Sequence, residues 1–305
     1  MSAALQAREA WLDERRTGIG GSDVSAILGL SPWKSPLEVY LDKIGEAPEQ
    51  PDSAPMAWGR ALEPLIRQAY EAQTGRTILV PTASYVHPQH TFMRANLDGE
   101  MPDLCLGFEA KTARTGEGWG EPGSAEIPDA YALQVQHYML VRGYVAFDVA
   151  VLIGGSDFRT YTVPADLDLQ AMLVDAETAF WQQVEARIPP EPRTYAETVI
   201  AYGRSANAGL VEADNDSVDA WTRLRQIRMQ MKELEAQEDA ERAVIARALG
   251  ERGDTLTSHG KTLATWKLAK AAERFDTAAF KAAHPELAAQ YMRAGEPSRR
   301  LLLKD

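Results

Sequence analysis

Cysteine and long apolar runs are the two features that this sequence most clearly lacks. Cys105 is the only cysteine among 305 residues, so an intrachain disulfide, a four-cysteine zinc site and a cysteine-held iron–sulfur cluster are excluded by count. The longest apolar runs, such as Val149 to Ile153, fall well short of the ~20 residues of a membrane-spanning helix. The charged segment from Met1 to Arg16 contains no signal-peptide core. We therefore expect a cytoplasmic protein with no role at a membrane.

Basic residues are also scarce, with 32 Lys and Arg against 44 Asp and Glu and a net charge of -12. This balance argues against a broadly basic surface, and at first sight against nucleic acid as a partner. The sign does not decide the matter, because a divalent-cation site gathers carboxylates and a phosphate backbone needs only a local basic channel. The apolar content of 45% and the charged content of 25% are those of an ordinary globular protein.

The length of the chain leaves room for one large domain and a smaller appendage. Prolines in the segment 189–192, followed by a stretch with few large apolar residues, indicate a boundary, and we place the main domain at 1–210. Dense mixed charge along a narrow apolar seam from Ser217 to Leu249 predicts a long helix or coiled coil at 211–250. Residues 251–305 are predicted to form a small α+β extension with a β-hairpin that turns at His259-Gly260.

Apolar periodicity predicts the elements of the main domain. Helical spacing from Met56 to Thr74 predicts a long helix that Gly75 ends, and Asp98-Gly99 predicts a turn after a strand. The other predicted helices are Ser22 to Leu28 with Ser22 as N-cap, Pro36 to Ile44, Asp129 to about Val141 with Gly143 closing it, and Leu167 to Arg187. The predicted strands are Thr77 to Val86, Phe92 to Leu97, Leu104 to Thr112, Val145 to Ile153, and Arg159 to Val163.

The candidate chemistry is centred on the predicted strand from Leu104 to Thr112. Side chains alternate along a strand, so Glu109 and Lys111 lie on one face, and Asp98 can join them if its strand pairs with theirs as a hairpin. Two carboxylates suit Mg²⁺, with Mn²⁺ as the alternative, and a lysine can orient or deprotonate a water or stabilise charge at phosphorus. These are the parts that phosphodiester hydrolysis requires. The spacing alone is not specific, because it usually marks a solvated strand face.

Two helical residues are further candidates. Glu63 shares a side of its helix with Arg67 and could supply a third carboxylate, or it could be a first-turn acid favoured by the helix dipole. Gln134 shares a face with Tyr131 and Tyr138 and could hold the attacking water or a ligand oxygen, or it could be a structural amide.

Six sequence blocks in order resemble the YqaJ-type viral recombinase family, which includes the lambda exonuclease. The order and spacing match over about residues 8 to 190. The blocks are RTGIGGSD at 16–23, SPW at 31–33, GRALEP at 59–64, NLDG at 96–99, EAKT at 109–112 and IPDAYALQVQH at 127–137.

This resemblance implies an α/β fold with a restriction-endonuclease-like core, a mixed central sheet flanked by helices. It implies a phage-type recombination exonuclease that hydrolyses one strand of linear duplex DNA from 5′ to 3′ with Mg²⁺ and leaves 3′ single-stranded tails. The residues that match the family's site are Asp98 and Glu109 as metal-binding acids with the carbonyl of Ala110, Lys111 as the catalytic lysine, Glu63 as the helical acid, and Gln134 as the active-site glutamine.

The resemblance also implies partners. Arg16 and Ser22 match positions that receive the DNA 5′-phosphate, a role that suits a guanidinium and a helix N-terminus. Double-stranded DNA ends, a single-strand annealing protein and further copies of the chain, expected as a trimer, would be the partners. An origin in a phage or prophage would place the protein in the cytoplasm of a bacterial host cell.

Some alternatives stay open at this point. Asp103 is a rival ligand that we rank below Asp98, and nothing in the C-terminal extension matches a motif with a known role. The same core could belong to an endonuclease or to a nuclease of opposite polarity. A non-catalytic protein that binds DNA ends as a scaffold is the third interpretation.

Overall fold

The computed structural model describes residues 14–47, 53–206, 209–271, 273–293, 295 and 298–303. The chain divides into two compact units, Met1–Ala201 and Tyr202–Asp305. The three-part division expected from the sequence, with boundaries at residues 210 and 250, stays a prediction.

A mixed four-stranded sheet forms the centre of the first unit. Its order is β4-β5-β6-β7, with strands Gly99–Met101, Leu106–Ala113, Ala146–Ile153 and Asp157–Pro164. The pairs β4–β5 and β6–β7 are antiparallel, whereas β5 and β6 run parallel. The helix between β5 and β6 provides the crossover that a parallel pair requires.

Helices cover both faces of this sheet, which confirms the predicted fold class. Ile66 and Tyr70 of one helix pack with Phe108 and Ala150 on one face, whereas Val149 of β6 faces a different apolar cluster with Val135 and Met139. The helices are α1 Gly21–Ile27, α2 Pro36–Lys43, α3 Ala54–Thr74, α4 Asp129–Arg142, α5 Leu167–Glu185 and α6 Tyr195–Tyr202.

A second, smaller sheet joins the N-terminal segment to the core. It has the order β1-β3-β2, where β1 is Ile19–Gly20, β2 is Tyr85–Val86 and β3 is Met93–Ala95. The predicted strand from Thr77 to Val86 is therefore mostly wrong, because only its last two residues and a single bridge from Leu79 to Glu100 are paired. The predicted strand from Phe92 to Leu97 is real but short.

The turn predicted at Asp98-Gly99 is present only as a bend at Asp98. Gly99 begins β4, and the β4–β5 hairpin turns instead through a 3-10 helix, Pro102–Leu104, followed by Cys105 in the left-handed conformation with φ of 52°. Glycine is needed at position 99 for space and not for a turn, since an added Cβ would lie 2.2 Å from Cγ2 of Ile78.

The predicted N-cap at Ser22 is also wrong, since α1 begins at Gly21 with Gly20 as its N-cap. Asp23 takes over the capping role because its Oδ2 accepts a hydrogen bond from the backbone N–H of Gly20 at 3.1 Å. Gly75 and Gly143 end α3 and α4 in the left-handed conformation, as predicted.

The second unit contains the predicted long helix and hairpin. Helix α7 spans Asn215–Leu249, and the hairpin of β8 Thr255–Ser258 and β9 Lys261–Thr265 turns through residues 259 and 260 as predicted. Two short helices follow, α8 Thr277–Ala283 and α9 Pro285–Gln290. None of the helices in the described parts of the chain has the length and apolar character to cross a membrane.

Candidate active site

Strand β5 orients the two residues at the centre of the candidate site. Phe108 is fully buried on the face that packs against α3, so Glu109 and Lys111 share the opposite face, as predicted. On that face they lie toward α4. Nζ of Lys111 donates a hydrogen bond to Oε1 of Glu109 at 2.7 Å. The two side chains form an ion pair in which Glu109 is almost completely buried.

Gln134 of α4 forms hydrogen bonds with both members of this pair. Its Nε2 donates to Oε1 of Glu109 at 2.7 Å and to the hydroxyl of Tyr138 at 3.0 Å. Its Oε1 accepts from Nζ of Lys111 at 3.0 Å. One buried amide therefore contacts both charged residues and joins two side chains of the predicted strand to one of the predicted helix.

Asp98 lies beside β5. The strand that precedes it, predicted from Phe92 to Leu97, belongs to the smaller sheet and does not pair with β5. The β4–β5 pairing stops at Gly99 and Phe108, and two residues further along β5 the N–H of Ala110 donates to Oδ2 of Asp98 at 2.9 Å. The backbone oxygen of Asp98 accepts from Nη1 of Arg67 at 3.1 Å. Asp103 lies in the turn at the other end of the hairpin.

Glu63 approaches the cluster from α3. It lies in the middle of this helix, which begins at Ala54, so the explanation by a first-turn helix dipole is wrong. Its carboxylate is 3.6 Å from Nη1 of Arg67, and burial together with the charge of Asp98 raises the pKa of Glu63. Arg67 thus lies between two of the candidate acids.

The acids of the cluster resist ionisation. Burial, with the nearby charge of Asp98, raises the pKa of Glu109 to about 8, although Lys111 acts in the opposite direction. Burial also raises the pKa of Asp98. The pKa of Lys111 is raised because Glu109 and Asp98 outweigh the effect of its burial. The site is therefore a place where added positive charge is favourable.

The donor set fits a hard divalent cation. Oε2 of Glu109 is buried and has no hydrogen-bond partner among the described residues, and an oxygen in that state can serve as a ligand. Asp98 and the carbonyl of Ala110 supply further oxygens, and Mg²⁺ commonly uses one or two carboxylates and keeps several waters. Among the described residues, no three His, Cys, Asp or Glu side chains are close enough to hold a metal ion by themselves.

Aromatic rings form one wall of the site, which the sequence did not predict. Nζ of Lys111 lies 4.7 Å from the ring centroid of Tyr131. The ring of Tyr131 contacts Trp33 at 6.1 Å and Trp119 at 5.7 Å between centroids. The only sequence signal was the helical spacing that places Tyr131 on the same face as Gln134.

Helix α1 brings one of the remaining two candidates, Ser22, toward this region, whereas Arg16 precedes the helix. An added Cβ at Gly21 would lie 2.5 Å from Cε1 of Tyr138 and 3.0 Å from Cγ of Gln134, so the start of α1 packs directly on α4. Ser22 follows with an exposed side chain, and Arg16 is partly buried. Their role toward a 5′-phosphate stays a prediction.

A buried ion pair beneath α1 was also missed. Nζ of Lys43 in α2 donates to Oδ2 of Asp23 at 2.6 Å, and Arg15 lies 2.9 Å from the other oxygen. Asp23 appears in the sequence block at 16–23, but nothing in its pattern indicated burial or a lysine partner 20 residues away.

The profile of the YqaJ-like viral recombinase domain matches residues 10–145. Residues 10–145, somewhat less than half of the chain, are therefore similar to this domain. All the candidate catalytic and metal-binding residues lie within this segment, from Glu63 to Gln134.

Two relatives are similar to this chain in sequence. The protein YqaJ of Bacillus subtilis, which is described as uncharacterized, is 39% identical over 177 residues, or 57% of this chain and 55% of that protein. Protein D345L of African swine fever virus is 28% identical over 107 residues, or 34% of this chain and 30% of the viral protein. The chain thus spans about half of the Bacillus relative and less of the viral one.

Two solved structures resemble the chain more distantly. The alkaline exonuclease LHK-Exo of Laribacter hongkongensis is 21% identical with a TM-score of 0.48, and the match covers 59% of this chain and 94% of that one. A phage related exonuclease of Haemophilus somnus is 12% identical with a TM-score of 0.43, and covers 58% and 99%.

Proposed function

We propose that this protein is a Mg²⁺-dependent exonuclease, with Mn²⁺ as an alternative ion, that hydrolyses one strand of linear duplex DNA from its 5′ end and leaves 3′ single-stranded tails. The observation that carries the proposal is the cluster of Asp98, Glu109, Lys111 and Gln134, in which a buried carboxylate oxygen has no partner among the described residues. The YqaJ-like recombinase domain that contains this cluster supports a role in DNA recombination.

The candidate ligands are Asp98, Glu109 and the carbonyl of Ala110, with Glu63 close by. A divalent cation, when bound, polarises the scissile phosphate and lowers the pKa of an attacking water. Lys111 carries its charge next to Glu109 and can stabilise negative charge that develops at the phosphorus. Gln134 holds Lys111 and Glu109 in fixed relative positions, so that these groups are oriented before the substrate arrives.

The direction of degradation depends on which DNA end the protein holds. Arg16 and Ser22 are the proposed contacts for a 5′-phosphate. The packing of α1 on α4 supports this proposal, since Gly21 lies against Gln134 and Tyr138 and Ser22 is the next residue. A guanidinium is suited to bind phosphate through paired hydrogen bonds.

Oligomer formation and a protein partner are further parts of the proposal. A homo-oligomer, expected as a trimer, would hold the DNA, and a single-strand annealing protein would take up the 3′ tails. Both expectations follow from the family resemblance. Light scattering of the purified protein tests the first, and co-purification with a candidate annealing protein tests the second.

The central experiment uses linear duplex DNA labelled at the 5′ end of one strand, with and without a 5′-phosphate. Wild type, Lys111→Ala and a control, Lys261→Ala, are compared in Mg²⁺ and in chelator. Lys261 is an exposed lysine of the C-terminal hairpin and serves as the matched control. We expect Mg²⁺-dependent release of label from phosphorylated 5′ ends by wild type and by the control, and its loss in Lys111→Ala.

Other outcomes select the alternatives. Cleavage of closed circular DNA would identify an endonuclease, and release of a 3′ label before a 5′ label would reverse the polarity. Binding of DNA ends without cleavage in any metal would contradict the enzyme and favour a scaffold.

A further inference from the structure

Trp33 extends the aromatic wall of the candidate site outward. Its ring stacks on Tyr131 with an interplanar angle of 22° and a centroid distance of 6.1 Å, while Tyr131 also contacts Nζ of Lys111. The ring of Tyr131 thus lies between Trp33 and the candidate catalytic lysine, Lys111. Its side chain is nevertheless 65% exposed, so part of this large apolar ring faces solvent.

The turn that carries Trp33 is held in place locally. Oγ of Ser31 accepts hydrogen bonds from the N–H groups of Trp33 at 3.1 Å and Lys34 at 3.3 Å. Directly after the turn, Ser35 and Glu38 form a reciprocal capping box that starts α2. An exposed aromatic ring on a fixed turn binds a flat partner with little loss of conformational entropy.

We propose that the free face of Trp33 stacks on a base of the substrate strand next to the nucleotide that is removed. This inference rests on the proposed nuclease function and adds a subsite to it. Stacking is tolerant of sequence because every base has a π-face, which suits an enzyme that must degrade any sequence. Tyr131 contacts both Lys111 and Trp33, so the proposed subsite lies next to the position of the scissile phosphate but further from Lys111.

The test combines a protein change with removal of a single base. The initial rates of wild type, Trp33→Ala and Trp33→Phe are measured on 5′-phosphorylated duplexes that carry one abasic nucleotide at each of the first few positions of the degraded strand. We expect that Trp33→Ala raises KM by about 5- to 150-fold with a smaller change in kcat. We expect Trp33→Phe to keep most of the wild-type affinity.

The abasic substrates distinguish stacking from a structural effect. At one position, loss of the base raises the KM of wild type by a similar factor but leaves that of Trp33→Ala unchanged, because the two changes remove the same contact. Trp266→Ala serves as the control, since Trp266 is 60% exposed in the second unit. Its KM is expected to equal that of wild type on every substrate.

Several results would overturn the subsite. One is an equal response of wild type and Trp33→Ala to every abasic position. Another is a change of oligomeric state in Trp33→Ala by light scattering, which would make Trp33 part of an interface between proteins.

Failure of the proposed nuclease function is recognised separately, because wild type would then cleave no DNA. In that case the affinity for 5′-phosphorylated single-stranded oligothymidine in chelator, measured by fluorescence anisotropy, decides about the subsite. A weaker affinity in Trp33→Ala than in Trp266→Ala supports stacking, and equal affinities overturn it.

Discussion

Gln134 donates a hydrogen bond to Glu109 at 2.7 Å from a helix that lies across the face of the central sheet. The same amide accepts from Lys111, so one side chain holds both members of an ion pair. Tyr138, one turn further along α4, accepts the second N–H of the amide. The amide of Gln134 thus makes three hydrogen bonds, and its removal would leave buried polar groups without these partners.

Gln134→Ala is predicted to lower kcat by about 10- to 100-fold with little change in KM, because neighbours that orient a site typically contribute this much. The measurement is steady-state cleavage of linear duplex DNA. Gln136→Ala is the matched control, since Gln136 lies on the same helix and bonds the backbone oxygen of Pro164 away from the site. An equal loss of kcat in both variants would contradict a specific role of Gln134.

Metal binding is predicted to depend on Asp98 and Glu109 and not on Asp103. Calorimetric titration with Mg²⁺, or with Ca²⁺ as a probe that does not support turnover in many Mg²⁺ sites, is expected to lose its signal in Asp98→Asn and Glu109→Gln. Asp103→Asn is expected to bind as wild type does, because Asp103 lies at the far end of the hairpin. Loss of binding only in Asp103→Asn would move the site to the turn.

Asp23→Asn is predicted to destabilise the fold strongly. Lys43 is fully buried, so loss of its partner leaves a buried charge, which costs about 3–5 kcal/mol. Although burial acts in the opposite direction, Lys43 and Arg15 lower the pKa of Asp23, so the pair stabilises the fold above the ordinary aspartate pKa and this contribution is lost in acid. Urea unfolding at neutral and acid pH measures both effects.

The double variant Asp23→Leu with Lys43→Met is the control for this interpretation. Replacement of both charges by apolar groups is expected to recover part of the stability that Asp23→Asn loses. No difference in unfolding free energy between wild type and Asp23→Asn would contradict the buried pair.

His137 is predicted to make the stability depend on pH in the neutral range. Its Nδ1 lies 2.9 Å from Oε1 of Glu177 in α5, and its Nε2 lies 2.9 Å from the backbone oxygen of Arg94. Burial lowers the pKa of His137, but Glu177, Arg94 and the more distant Asp23 outweigh it and raise the value overall. The added stability is therefore complete below the unfolded pKa of about 6.5 and is lost as the pH rises through the folded pKa.

Thermal unfolding from about pH 6 to about pH 9 measures this dependence. His137→Gln keeps hydrogen-bonding atoms but does not titrate, so its stability is expected to vary less over the same interval. The same slope in wild type and variant would assign the dependence to other groups.

Gly21→Ala is predicted to destabilise the protein by about 1–3 kcal/mol and to lower activity, because overpacking displaces neighbours. The added methyl would meet Tyr138 at 2.5 Å and Gln134 at 3.0 Å. Gly253→Ala is the control, since among the described residues no atom beyond its chain neighbours lies within 4 Å of its added Cβ. Chemical denaturation and the cleavage rate are compared for both variants. Unchanged values for Gly21→Ala would show that α1 can move away from α4 without cost.

The sequence by itself determined the elements and faces that depend on neighbouring residues. Helical spacing predicted α3 and α4 with their glycine ends, and strand alternation predicted that Glu109 and Lys111 share a face. Both periodicities are local, because they follow from the rotation of the backbone between one residue and the next. The motif blocks added the candidate roles of Asp98 and Gln134 through resemblance.

Only the tertiary structure decided which distant residues meet. The sequence suggested a turn at Asp98-Gly99, but Gly99 is there because Ile78 and Phe108 leave no room for a Cβ. The ion pair of Asp23 with Lys43 joins residues of separate elements, and no local pattern encodes it. The local residue pattern specifies the face of an element on which each side chain lies. It does not specify which strands pair or which residues are buried, because these depend on how whole elements pack.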